Sequence, residues 1–201
     1  KGHLMTGIGY MLPLIIGASL VVAIPKLIAL CFGITSLDPY ADGTGIWHIM
    51  KLIENVGWTG IGMVNTVLAG FIAYSIADKP AIGAGLIGGA VASNTYAGFL
   101  GAVIAAFIAG YSVKGAKKHI KLPQSMNSVM PLVVCPLIAT GLVAIIMGVI
   151  LATPLAAINT WLVNWISSMC QNQSSQLVMA LILGAMIACD MGGPINKSAW
   201  M

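Results

Sequence analysis

Long apolar runs, separated by short clusters of turn and charged residues, organise this chain. The first run extends from about Thr6 to Phe32. At ~20 residues per crossing it is long enough to span a bilayer once with some tilt. Pro13 and Pro25 lie inside it, which a lipid-buried helix tolerates when neighbours satisfy the freed carbonyls. Lys26 also interrupts it and is expected to snorkel towards the nearer interface. Gly33 to Gly45, with Ser36, Asp38-Pro39 and Asp42-Gly43, carries turn chemistry and no lysine, so the positive-inside rule permits it outside. Trp47 and His48 mark an interface, and Lys51 and Glu54 are spaced to pair on one helix face. The second spanning run is about Val56 to Ile76. Asp78-Lys79-Pro80 closes it, and the proline disfavours helical geometry at Lys79.

The small-residue stretch from Ile82 to Val113 is broken by Ser93-Asn94-Thr95-Tyr96. Two crossings normally need ~40 residues, and this stretch is shorter. It reads as one short or re-entrant segment, Ile82 to Ala92, followed by a full crossing, Gly98 to Val113. Lys114, Lys117, Lys118 and Lys121, with His119, form the strongest basic cluster and belong in the cytoplasm by the positive-inside rule. With a cytoplasmic N-terminus an even number of crossings must precede that cluster, and four satisfies this. Pro123 to Val129 is a loop, and Met130 to Leu151 is the fifth spanning run. After Pro154, the apolar residues Leu155, Ile158, Leu162, Trp165, Ile166 and Met169 keep helical spacing. That predicts an amphipathic helix over Leu155 to Cys170, lying in the outer interface with Trp161 and Trp165 as anchors. Gln171 to Gln176 is polar, and Leu177 to Cys189 is apolar again. The pattern predicts an all-α integral membrane protein with about six transmembrane segments plus one interfacial amphipathic helix.

Composition agrees. Of 201 residues, 59% are hydrophobic and 7% charged, against roughly 25% charged in soluble domains. Such a chain cannot cover its own surface in water, and the lipid bilayer is the environment that fits. The net charge of +4 comes from nine lysines and no arginine. They are too few and too scattered for nucleic acid, so none is expected as a partner, and membrane orientation is the better use for them. Cys31, Cys135, Cys170 and Cys189 show no C-x-x-C spacing and read as small hydrophobes. The opening run is too long for a signal peptide, and the start at Lys1 suggests a cut or a domain boundary.

Three small-residue ladders predict close helix packing: Gly85 with Gly89, then Gly98, Ala102, Ala106 and Gly110, then Gly184, Ala188 and Gly192. Asp190 is the most informative residue. It ends an apolar segment that has no other acid, and a carboxylate there usually faces a cavity or a partner. Gly192-Gly193-Pro194 then breaks the helix, exposing backbone groups of the kind that line transporter sites. Asn196 offers a donor and an acceptor, and Lys197 a charge. Acids and amides facing a cavity suit a sugar's hydroxyls; a surface turn with Lys197 as a topology marker is the other reading. Asn65, in mid-span, and Asn94, at a break, either bond a neighbouring helix or touch substrate. His3, His48 and His119 fall near membrane surfaces without metal spacing. No nucleophile-plus-base arrangement is evident, and neither catalytic residues, metal ligands nor a cofactor is expected within the chain.

The string Asp190-Met191-Gly192-Gly193-Pro194-Ile195-Asn196-Lys197-Ser198-Ala199 closely resembles the D-M-G-G-P-[VI]-N-K-x-A stretch of fructose-type Enzyme IIC proteins. These are membrane permeases of the bacterial phosphoenolpyruvate-dependent sugar phosphotransferase system. His3-Leu4-Met5-Thr6-Gly7 with Tyr10-Met11-Leu12-Pro13 resembles the family's start after its cytoplasmic IIB domain. Ile76-Ala77-Asp78-Lys79-Pro80 resembles its I-A-D-[RK]-P turn. Gly85-Leu86-Ile87-Gly88-Gly89 and Ala97-Gly98-Phe99-Leu100-Gly101-Ala102 also match in order.

The resemblance implies a permease that binds fructose or a related sugar, carries it across, and releases it as a phosphorylated IIB domain phosphorylates it. The donor cysteine would lie on IIB, outside this chain. It also implies a homodimer in the bacterial inner membrane, with Asp190, Gly192, Gly193, Pro194, Asn196 and Lys197 at the sugar site. Residues 1–152 would hold the early helices and much of the dimer contact, 153–176 an amphipathic connector and loop, and 177–201 the start of the substrate-binding part. The family's G-I-T-E motif does not occur here, so the chain looks like roughly the first two-thirds of an Enzyme IIC. The competing readings are an ion-coupled secondary transporter with Asp190 as the ion site, and a membrane scaffold built on the small-residue faces.

Overall fold

The computed structural model describes residues 2–95, 97–120 and 129–171. All regular structure among them is helical. Helix α1 spans Gly2–Cys31 and runs through Pro13 and Pro25 without ending. A single 3₁₀ turn, Asp38–Tyr40, lies in the following loop. Helix α2, Ile46–Gly62, and helix α3, Val64–Ala77, are separated only at Met63. Glycines at 57, 60 and 62 precede that break, a usual setting for a kink.

Helix α4, Lys79–Asn94, is short, and helix α5, Gly98–His119, returns antiparallel to it. Helix α6, Cys135–Ile145, is flanked by π-helical turns at Met130–Val134 and Ile146–Leu151. Each π turn lies just ahead of a proline, Pro136 or Pro154, whose ring would strike the carbonyl four residues earlier; widening the turn relieves that clash. Helix α7 spans Ala152–Gln171 and touches α5.

Two hydrogen bonds fix which ends lie together. His3 Nδ1 is 2.9 Å from Ser75 Oγ, joining the start of α1 to the end of α3. Lys117 Nζ donates to the Ala77 carbonyl at 2.9 Å, capping α3 with the end of α5. The chain start, the Asp78–Pro80 turn and the basic end of α5 therefore share one end of the bundle.

Among the described residues, four stretches are long and apolar enough to cross a membrane: Gly2–Cys31, Ile46–Ala77, Gly98–His119 and Met130–Leu151. The second begins ten residues before the expected Val56, because the charged residues at 51 and 54 are carried into the helix. Helix α4, with 16 residues, is about 24 Å long at ~1.5 Å per residue, short of a ~30 Å hydrocarbon layer. It starts at Lys79 rather than after Pro80. Proline is harmless in a first turn, where its missing N–H would have had no helical partner.

The packing is inverted relative to a soluble protein. Ala69, Ala73, Ala84, Ala102, Ala105 and Ala106 are fully buried, whereas Ile16, Leu20, Leu27 and Leu30 of α1 lie exposed. Small residues inside let backbones touch, and large aliphatic ones outside suit an apolar surrounding. Gly89 shows how tight this is: a Cβ there would lie 2.6 Å from the Asn65 carbonyl oxygen.

Candidate functional site

Asp190, Gly192, Gly193, Pro194, Asn196 and Lys197 lie outside the described residues, as does the ladder of Gly184, Ala188 and Gly192. Asn65 and Asn94 are described. Asn65 opens α3, two residues past the break at Met63, and is 4% exposed. Its amide nitrogen donates to Ser93 Oγ on α4 at 3.2 Å, and its Oδ1 is buried without a hydrogen-bond partner. Asn94 ends α4 and is exposed. Next to it, the Thr95 hydroxyl and N–H both bond the Val91 carbonyl, at 2.8 and 2.9 Å, closing the helix. The short end of α4 therefore abuts the α2–α3 break, with Asn65 and Ser93 joining them. The partnership with Ser93 was not legible, since 28 residues separate the pair.

A second polar cluster lies further along α1 and α2, away from the end that holds His3 and Ser75. Glu54, buried on α2, receives Lys26 Nζ of α1 at 3.2 Å, Lys51 Nζ at 3.2 Å and Trp58 Nε1 at 2.9 Å. Lys26 is thus paired as well as half exposed, and its ammonium sits 5.3 Å from the Trp58 ring centre. Lys51 also bonds Asp38, whose carboxylate accepts from Ser36 Oγ at 2.8 Å. The Lys51 ammonium, followed by the Ser36 hydroxyl, holds the Asp38 carboxyl below the usual carboxylate range. The expected Lys51–Glu54 pair is present. Its link to Lys26 had half a signal in the sequence: Lys26 is a lone charge inside an apolar run.

A cavity of about 740 Å³ opens at the end of the bundle that holds the chain start, beside Tyr74, Asp78, Lys79 and Lys117. Asp78 has φ +64°, a strained value for a side-chain-bearing residue, and this conformation turns the chain sharply from α3 into α4. Among the described residues no group of three or more His, Cys, Asp or Glu is placed to hold a metal ion.

Spanning helices with small residues inside, large aliphatic ones outside and polar groups at helix breaks define a polytopic helical membrane protein. Comparison with known proteins narrows this. Residues 5–201 match the family described as "Phosphotransferase system, EIIC". The chain is 39% identical over 199 residues to the "PTS system fructose-specific EIIABC component" of Bacillus subtilis, covering 98% of this chain and 30% of that protein. It is 42% identical over 139 residues to the "Fructose permease IIC component" of Bacillus amyloliquefaciens, covering 69% of this chain and 45% of the relative. It is 35% identical over 201 residues to the "Fructose-like permease IIC component 2" of Escherichia coli, covering all of this chain and 53% of the relative. No solved structure matches it. The chain belongs to the phosphotransferase system EIIC family. It spans between about a third and about half the length of these relatives.

Proposed function

We propose that this chain is part of a sugar permease that moves fructose or a related sugar across the membrane, coupled to its phosphorylation by a IIB domain. The observation that carries this reading is the match of nearly the whole chain to proteins named as fructose-specific phosphotransferase components. The same names favour it over an ion-coupled transporter. In this reading the phosphoryl group passes from a cysteine of IIB to a hydroxyl of the sugar, and this chain supplies the passage.

The domain plan follows the sequence: residues 1–152 as early helices with the dimer contact, 153–176 as connector and loop, and 177–201 as the start of the sugar site. Six crossings result when α4 and the 177–189 segment are added to the four long spans. The chain start and the Lys114–Lys121 region lie in the cytoplasm. Asp190, Gly192, Gly193, Pro194, Asn196 and Lys197 contact the sugar. Asn65 and Asn94 join them at the helix breaks; the unpartnered Oδ1 of Asn65 supports this.

Vesicles holding the full-length parent protein test the function. Sugar phosphate should accumulate from labelled fructose only with phosphoenolpyruvate and the soluble phosphotransfer proteins. Accumulation of free sugar driven by an ion gradient would replace this reading with the ion-coupled one. A cysteine placed at Lys118 in a cysteine-free background should resist impermeant thiol reagents in intact cells, and labelling there would reverse the orientation.

A further inference from the structure

The transport reaction proposed above assigns no role to the cavity beside the Asp78–Lys79–Pro80 turn. Lys79 reaches it from the first turn of α4 and Lys117 from the last turn of α5. Lys117 spends one N–H on the Ala77 carbonyl, which leaves two of an ammonium's three donors available. Asp78 and Tyr74 complete the polar rim. The opposite wall is apolar and includes Pro131 and Leu132. Leu132 is 76% exposed, and Leu137, further along the same span, is 70% exposed. The apolar wall therefore runs on into the surface that this span shows to lipid. A basic recess at a helix end, open towards the acyl region, is the form that lipid head-group sites take.

Charge selects among anions. Among the described residues, two lysines and one carboxylate leave a single net positive charge on the rim. That matches a phosphodiester, which carries one negative charge. A phosphate monoester, such as a soluble sugar phosphate, carries roughly 1.5 to 2 and would leave the rim with excess negative charge. The Asp78 carboxylate can instead accept hydrogen bonds from hydroxyl groups, and the Tyr74 hydroxyl can donate or accept. The best-matched ligand is a phosphodiester bearing a hydroxylated head group and apolar tails.

We propose that this cavity holds the head group of an anionic phospholipid of the phosphatidylglycerol type. Lys79 and Lys117 face its phosphodiester, Asp78 and Tyr74 face its glycerol hydroxyls, and the acyl chains lie along the exposed face of Leu132 and Leu137.

Native mass spectrometry of the full-length parent protein, released from nanodiscs of equal phosphatidylglycerol and phosphatidylcholine, tests this. Phosphatidylglycerol should be retained preferentially. Lys79→Gln should lower that preference about fivefold, as expected for one lysine near a head group, and Lys79→Arg should keep it. Lys79 is exposed, so its replacement spares the packed interior. Lys117→Gln, which also removes the cap on Ala77, provides a second variant, checked for unchanged melting in phosphatidylcholine alone. Equal retention of the two lipids by the wild type would overturn the proposal, as would a preference that survives both substitutions. Displacement of the lipid by soluble fructose 1-phosphate at millimolar concentration would also overturn it and make the cavity a sugar-phosphate site.

Discussion

Lys26 of α1 and Glu54 of α2 meet at 3.2 Å, and this contact ties the first two helices together inside an apolar surface. Glu54 is 3% exposed and receives three donors, so its desolvation is offset only while they remain in place. Glu54→Ala leaves the ammonium of Lys26 facing apolar neighbours. It should lower stability by about 2–3 kcal/mol, below the fully buried range because Lys26 is half exposed. A double-mutant cycle with Lys26→Ala, read by melting in detergent, should show coupling of at least ~0.5 kcal/mol. Strict additivity would mean that the two charges do not sense each other.

Asp38 links the loop after α1 to Lys51, and its folded-state pKa lies below the usual carboxylate range. A depressed carboxylate contributes stability above its unfolded pKa of ~3.9, and loses that contribution as pH falls through the folded value. The loop should therefore loosen below about pH 4, read as faster hydrogen exchange across residues 36–45. Asp38→Asn should remove that acid step. A variant that keeps the full step would assign it to another group.

Glycines fall into two classes, and substitution should separate them. At Gly89 a Cβ would meet backbone atoms, the Asn65 oxygen at 2.6 Å and the Thr66 Cα at 2.7 Å, which cannot rotate away. Gly89→Ala should cost about 1–3 kcal/mol through overpacking. Gly141 of α6 has nothing within 4 Å, and Gly141→Ala should be neutral or stabilising by up to ~1 kcal/mol through helix propensity. Equal melting temperatures for the two variants would mean that α3 and α4 do not pack as described.

Replacing Asn65 or Asp190 should affect uptake rather than stability. Asn65→Leu removes a buried amide whose Oδ1 has no partner, so stability should change by less than ~1 kcal/mol. If the amide touches sugar, uptake by the full-length protein should fall at least about tenfold, the range for losing a hydrogen bond to a bound ligand. Unchanged uptake would leave Asn65 with a packing role alone. Asp190→Asn should reduce uptake without reducing membrane levels, and normal uptake would remove Asp190 from the site.

The helices were legible because lipid imposes a simple rule: long apolar runs separated by charge and turn residues. Met130 to Leu151 coincides with the fifth expected span, and Gly98 starts α5 as expected. The amphipathic stripe expected over Leu155 to Cys170 falls within α7, where the exposed Trp161 and Trp165 stack 6.5 Å apart. The helix-face pair of Lys51 and Glu54 was legible from its spacing, but their partners Lys26 on α1 and Asp38 in the loop were not. The contact between Asn65 and Ser93 and the cavity beside Asp78 were hidden for a related reason. Both arise where distant segments meet, and hydropathy is a local signal. The expected sugar-site residues from Asp190 to Lys197 rest on the resemblance and their chemistry.

The cluster of Lys26, Lys51, Asp38 and Glu54 holds two cations and two anions. Moving one elementary charge across a membrane at 100 mV involves about 2.3 kcal/mol. A neutral group of four that stays together exchanges almost none of that energy with the field, wherever it lies in the bilayer. Membrane voltage therefore has almost no grip on this pair of helices through these four charges.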